Sequence, residues 1–389
     1  MKTGNNNKIG QLICTALMVL VLTSTAFAYP PDNAAVLYYR ASLLYDANDV
    51  MMAKVMKFIK GDVKIDDEIR QYVEKNRNAI KSFVDAGDAP NCDWGVDYSQ
   101  GIETVMPPFA PLRNIARIIR AQAKITAESG DYNRALDLYL SLHKAGNNVA
   151  AGGNLIFHLV GIALDAMANQ GIAETLGDMS DSPEILIRLR GQIYKVTGKF
   201  PSLKTSINRD LDTCVQDIRK EKAEDFIFEM GSDFIPKDKR RIILNGDEEF
   251  FKASREYFLN HQAAILAAVE LPYPDSFEQL KRLDKKLKED YKKDTHSILT
   301  NEFMSAIDSI LSLDVRSKTH SNAIKAAIEI YLIRARTGRL PDALPDGLPG
   351  DLYSGKDFKY EKTADGFTLR CRGKDMSKDE IYKYEFKVK

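Results

Sequence analysis

Apolar residues recur at helical spacing along most of this chain, and the pattern is densest between residues 112 and 168. Leu112, Ile115, Ala116, Ile119 and Ala123 share one helix face, Ile118 and Ile125 widen it, and Gly130-Asp131 ends that helix. A second helix follows, with Ala135, Leu138, Tyr139 and Leu142 on one face and its end near Gly146. The short break between them predicts an antiparallel hairpin over 112–146. A third helix is predicted over 154–168. It is apolar nearly all round and shorter than the roughly 20 residues that cross a bilayer, so it is expected to be buried at the centre of the protein. One line along it is polar: Asn154, His158, Gly161 and Asp165, at spacings of four, three and four.

Elsewhere the periodicity predicts helices over 33–45, 48–59, 66–87, 183–198, 201–230 and 247–271. Asp32 or Asn33 caps the first, Asp66 the third, and Ser182-Pro183 opens the fourth with a cap and a first-turn proline in their preferred places. Residues 277–313 read as one long charged helix or a broken pair, with 237–241 as a short basic loop. Residues 88–111 form a connection rich in Pro and Gly that holds the only tryptophan, Trp94. A connection of that length is either functional or an ordered strap pinned by Trp94 and Cys92.

The pattern changes at the C-terminal end. After a helix over 321–337, residues 358–360 and 367–369 alternate around the turn Ala364-Asp365-Gly366, which signals a hairpin, and 381–388 alternate as a third strand. The fold class expected is mainly α, a multi-helix domain with a small C-terminal α+β piece of one helix and a two- or three-stranded antiparallel sheet. The expected divisions are a signal peptide at 1–28, a helical domain at 29–315 and the α+β piece at 316–389.

The signal peptide rests on a basic start (Lys2, Lys8), an apolar run at 9–22 and Ala26-Phe27-Ala28 before a cleavage point at Tyr29. That places the mature chain in the periplasm or outside the cell, without stable membrane insertion. The 55 basic residues balance 55 acidic ones, and losing the two leader lysines leaves a slight acidic excess. Nothing in that balance attracts nucleic acid or an anionic membrane surface. Three cysteines remain after cleavage, Cys92, Cys214 and Cys371, with no Cys-x-x-Cys spacing. They form at most one disulfide or stay as three buried thiols.

Candidate chemistry is sparse. His158 and Asp165 are the candidate catalytic residues, but two helical turns separate them by about 10 Å along the axis. They are either buried polar groups bonded to neighbouring helices or the floor of a pocket. Arg113, Arg117, Arg120 and Lys124 line one helix face, as an anion-binding stripe or a solvated and salt-bridged one. Asp375, Asp379 and Glu380 are oxygen ligands for a hard cation or a solvated charged turn. No His-x-x-x-His, phosphate loop or Gly-x-Ser-x-Gly elbow occurs. No cofactor and no metal are expected.

Three resemblances add to this. Gly130-Asp131-Tyr132 with Ala135 and Tyr139 resembles the second half of a tetratricopeptide repeat, in a single copy. Cys92-Asp93-Trp94-Gly95-Val96-Asp97-Tyr98, Pro107-Pro108, Leu112-Arg113, Leu155-Ile156 and Leu159-Val160-Gly161-Ile162-Ala163 are similar to a family of uncharacterised secreted proteins of planctomycete-type bacteria, a likeness that implies a fold and no activity. Ala327-Ile328, Tyr331, Gly338-Arg339-Leu340-Pro341, Leu344, Leu348, Ser354-Gly355-Lys356, Tyr360 and Gly366-Phe367 resemble the globular part of type II secretion major pseudopilins, without their leader or assembly helix. The function expected is a non-enzymatic extracytoplasmic scaffold with a protein partner. The alternative is an extracytoplasmic hydrolase built around His158. The pattern leaves the oligomeric state open.

Overall fold

The computed structural model describes residues 32–231, 235–304 and 306–388, and the expected signal peptide lies outside them. Among the described residues there are fifteen α-helices and one three-stranded sheet, in agreement with the mainly α class and its small α+β end. Four helices open the chain: α1 (Ala34–Leu44), α2 (Asp49–Lys60), α3 (Asp67–Lys75) and α4 (Arg77–Ala86). Asn33, Asn48 and Asp66 each accept a backbone N–H at a helix start, which satisfies donors the helix itself leaves free. The single helix expected over 66–87 is two. The buried Asn76 side chain separates them, accepting from the Asp46 N–H at 2.9 Å and donating to the Tyr72 carbonyl at 3.0 Å.

The hairpin is α5 (Phe109–Glu128) and α6 (Tyr132–Ala150), joined through Gly130 and capped by Asp131. The second arm runs past Gly146 because that glycine is a contact point, not a stop. α7 (Leu155–Leu176) crosses there, and a Cβ on its Gly161 would lie 2.8 Å from the Gly146 carbonyl oxygen and from the Ala150 Cβ. Only two small residues facing each other let the backbones approach this closely. α7 extends eight residues beyond the expected 154–168 and begins with the Asn154 cap.

Then come α8 (Pro183–Thr197), α9 (Leu203–Cys214), α10 (Ala223–Met230), α11 (Lys237–Leu244) and α12 (Glu248–Ala268). The expected helix over 201–230 breaks after Cys214, where Asp217 turns to accept the Ile102 N–H of the 88–111 connection. The basic run 237–241 is the start of α11 and not a loop. The charged stretch after residue 274 is a broken pair: α13 (Asp275–Lys293), a short α14 (Ile298–Phe303), then α15 (Ile307–Thr337). The 31 residues of α15 span about 46 Å. The expected boundary at 315/316 falls inside it, so one continuous helix belongs to both the helical body and the C-terminal piece.

The sheet is β1 (Lys359–Thr363), β2 (Gly366–Arg370) and β3 (Lys383–Lys387), antiparallel in the order β1-β2-β3. Leu369 pairs with Tyr360 on one side and Tyr384 on the other. Its apolar face lies on α15, where Tyr331 meets the Phe367 ring at 5.3 Å and donates to the Lys387 carbonyl.

Candidate functional site

The polar line of α7 meets α15. His158, Asp165 and Asn169 on the first face Asp314, Ser317 and Ser321 on the second. The local sequence explains the match. Both helices repeat a polar residue every three or four positions within an apolar surround, so each offers one polar stripe to the other.

Two constellations result. At one end, His158 Nε2 lies 3.0 Å from Asp314 Oδ1, and Ser206 Oγ on α9 is hydrogen-bonded to His158 Nδ1 at 3.2 Å. Lys318 Nζ holds the other Asp314 oxygen at 2.6 Å. Serine, histidine and aspartate therefore line up as in nucleophilic hydrolases, but with the ring nitrogens exchanged, aspartate at Nε2 and serine at Nδ1. Access is another matter: His158 is 0% exposed, Ser206 1% and Asp314 5%, and Phe200 closes over the imidazole edge-on at 5.3 Å. Burial alone raises the Asp314 carboxyl, but the His158 hydrogen bond and the Lys318 charge outweigh it and hold the group below the usual carboxylate range.

At the other end, Asp165 is a hub. It accepts from His143 Nδ1 on α6 at 2.5 Å, Ser317 Oγ at 2.7 Å and Asn169 Nδ2 at 3.1 Å. Asn169 continues the chain to Ser321 Oγ at 2.9 Å. The carboxylate stands between the hydroxyl and the imidazole, so His143 is not placed to take a proton from Ser317. Burial raises the Asp165 carboxyl as well, and the His143 charge and hydrogen bonds lower it further than burial lifts it. Next to this hub, burial pushes the His320 imidazole down to about 4, and its ring stacks on Tyr384 at 4.8 Å.

Both carboxylates border a cavity of about 60 Å³, room for one or two waters, with Lys318, Asn322 and Lys325 at its rim. His158 and Ser206 do not line it. A wider groove of about 380 Å³ runs along the other side of the same crossing, lined by Leu159, Ala163, Ala166, Leu313, His320 and Tyr384. Hence α7 is not enclosed on every side. Ile156 is 48% exposed, and Leu159, Ala163 and Ala166 are at least partly open on the same line.

The remaining candidates lie apart from this seam. Trp94 is buried, donates its indole N–H to the Asn148 carbonyl at 3.0 Å and stacks on Tyr38 at 5.7 Å, which straps the 88–111 connection to the hairpin. The basic line of α5 disperses. Arg120 is buried against Glu174 and Gln170, Arg117 bonds Asn114, Lys124 reaches the Phe58 carbonyl and ring, and Arg113 is exposed. Asp375 is fully buried and bonded to Arg316 at 2.5 Å and to Ser377, Asp379 pairs with Lys374, and Glu380 closes the turn through its backbone. Among the described residues no cluster of three or more His, Cys, Asp or Glu side chains is arranged to hold a metal ion. Cys92, Cys214 and Cys371 are free thiols, and burial pushes the Cys92 thiol up to about 12 and the other two higher still.

No family model matches this chain, and no curated protein or solved structure matches it.

Proposed function

We propose that this protein is a non-enzymatic extracytoplasmic scaffold that binds another protein, exported by its N-terminal leader to the periplasm or beyond. The observation that carries the reading is the state of the α7 stripe. Each of its histidine and carboxylate partners is committed to another helix, and the residues in hydrolase order are sealed from solvent. Of the network's histidine and carboxylate atoms only His143 Nε2 is buried without a partner, and a buried polar network so nearly satisfied rigidifies and specifies a fold. A nucleophile needs access as well as a base. The pseudopilin-like and tetratricopeptide-like segments are consistent with an interaction role in the envelope.

A second reading, an extracytoplasmic hydrolase, is favoured by the Ser206–His158–Asp314 order itself. It requires the seam to open. Two experiments separate the readings. A fluorophosphonate probe should leave the native protein unlabelled, and labelling abolished by Ser206→Ala would replace the scaffold with a serine hydrolase. Pull-down from envelope extracts should recover a defined protein partner, and recovery of none across growth conditions would remove the scaffold reading.

A further inference from the structure

A concavity wider than the two at the seam is lined by none of the seam's polar residues. It is a groove of about 720 Å³ between α6 and α8, closed at one end by the turn after α4. That volume lies within the range of roughly 300–1,000 Å³ found for ligand sites. The groove is polar. Its lining carries three lysines, Lys144, Lys195 and Lys199, and two aspartates, Asp88 and Asp137.

The two acids are already engaged. Asp88 holds Lys144 at 2.6 Å, and Asp137 is paired with Arg188 outside the groove. Lys195 in the last turn of α8 and Lys199 in the turn that follows it are exposed, and among the described residues no side-chain hydrogen bond or ion pair engages either. The groove therefore presents two uncompensated ammonium groups, one on the last helical turn and one just beyond it. Its walls are fixed in advance. Asn147 donates to the Val196 carbonyl at 2.8 Å, tying α6 to α8, and Asn148 is held by Tyr38, the Ala86 carbonyl and the Trp94 indole. A rigid groove loses little freedom when it is filled.

We propose that this groove is the docking site for an acidic peptide segment of the partner, with Lys195 and Lys199 pairing two of its carboxylates. The proposal rests on the scaffold reading and names the chemistry of its partner. Surface ammonium groups act in high dielectric, so the interaction is salt-sensitive and electrostatically selective.

The test is calorimetric titration of the full mature chain with a hexaglutamate peptide at low and high salt. Saturable one-to-one binding is expected. It should weaken with salt and weaken about tenfold or more in the double variant Lys195→Glu/Lys199→Glu. The control Lys285→Glu/Lys292→Glu, which changes net charge equally on α13, should bind as wild type does. Both pairs are exposed, and unchanged melting curves would establish that the variants fold. Absence of saturable binding, undiminished binding by the groove variant or equal loss in the control would each overturn the proposal. So would binding of inorganic phosphate at these lysines without binding of the peptide. The two readings fail separately. Envelope partners recovered equally by wild type and groove variant would sink the groove alone. Peptide binding with no partner recovered would sink the scaffold alone.

Discussion

Removing the Asp314 carboxylate should expose how much of the fold depends on the seam between α7 and α15. In Asp314→Ala, His158 Nε2 loses its partner at 3.0 Å inside a fully buried site, and Lys318 loses its contact at 2.6 Å. The lysine is 41% exposed along its side chain, so its share is small, at most about 1 kcal/mol. The histidine carries the rest, because breaking a buried pair from one side costs roughly 3–5 kcal/mol. That is a large part of a typical domain stability of about 5–15 kcal/mol. The assay is urea unfolding followed by circular dichroism for Asp314→Ala, His158→Leu and the double variant. Once one partner is gone, removal of the other should cost much less, giving a coupling of about 1–3 kcal/mol. Strict additivity of the two single effects, or a cost below about 1 kcal/mol for Asp314→Ala, would refute the seam as a joint structural unit.

Gly161→Ala should destabilise by about 1–3 kcal/mol, because the added Cβ meets the Gly146 backbone oxygen at 2.8 Å; a melting curve like wild type would mean the two helices can separate freely. His320 sets a pH dependence. Its folded pKa of about 4 lies below the ordinary histidine value of 6.5, so the unfolded chain takes up the proton first and stability falls as pH drops through that window, by up to about 3 kcal/mol. Burial of Asp210, raised to about 6, pulls the opposite way, so the check is the difference between wild type and His320→Phe: the variant should lose less stability on acidification, and parallel curves would contradict the assignment. Alkylation of a chain of residues 29–389 without reductant should add three groups once it is unfolded and few or none while it is native; a protected pair after unfolding would reveal a disulfide. Millimolar calcium should leave Tm unchanged, since Arg316 already neutralises Asp375; a clear rise would point to a cation site in the 375–380 turn.

Much of this architecture is written in local patterns. Asn48, Asp66, Asp131, Asn154 and Asp247 announce helix starts because a short polar side chain before an apolar run has a backbone donor to satisfy. The strands follow from alternation around Asp365-Gly366. The failures are tertiary. Asn76 interrupts 66–87 for the sake of a hydrogen bond to a backbone thirty residues away, and Asp217 breaks 201–230 to reach Ile102. The stripe of α7 was legible, but its partners were not. Ser206 and His143 carry no periodic signal that ties them to His158 or Asp165. Asp314, Ser317 and Ser321 do have helical spacing, but the first two fall between the segments 277–313 and 321–337 that the periodicity predicts and the third at the edge of the second, where one helix runs through. The open side of α7 is invisible for a related reason: an all-round apolar helix does not say which neighbours it will have, and in the described structure Ile156 and Ala166 are exposed and Leu159 half-buried.

Hydrogen exchange along α7 tests most directly whether the seam stays closed. The amides of α7 and of the facing middle of α15 should be among the slowest in the protein and exchange only through global unfolding. Exchange across Leu155–Leu176 as fast as in the 88–111 connection would mean that the seam opens in the native state, and would contradict this.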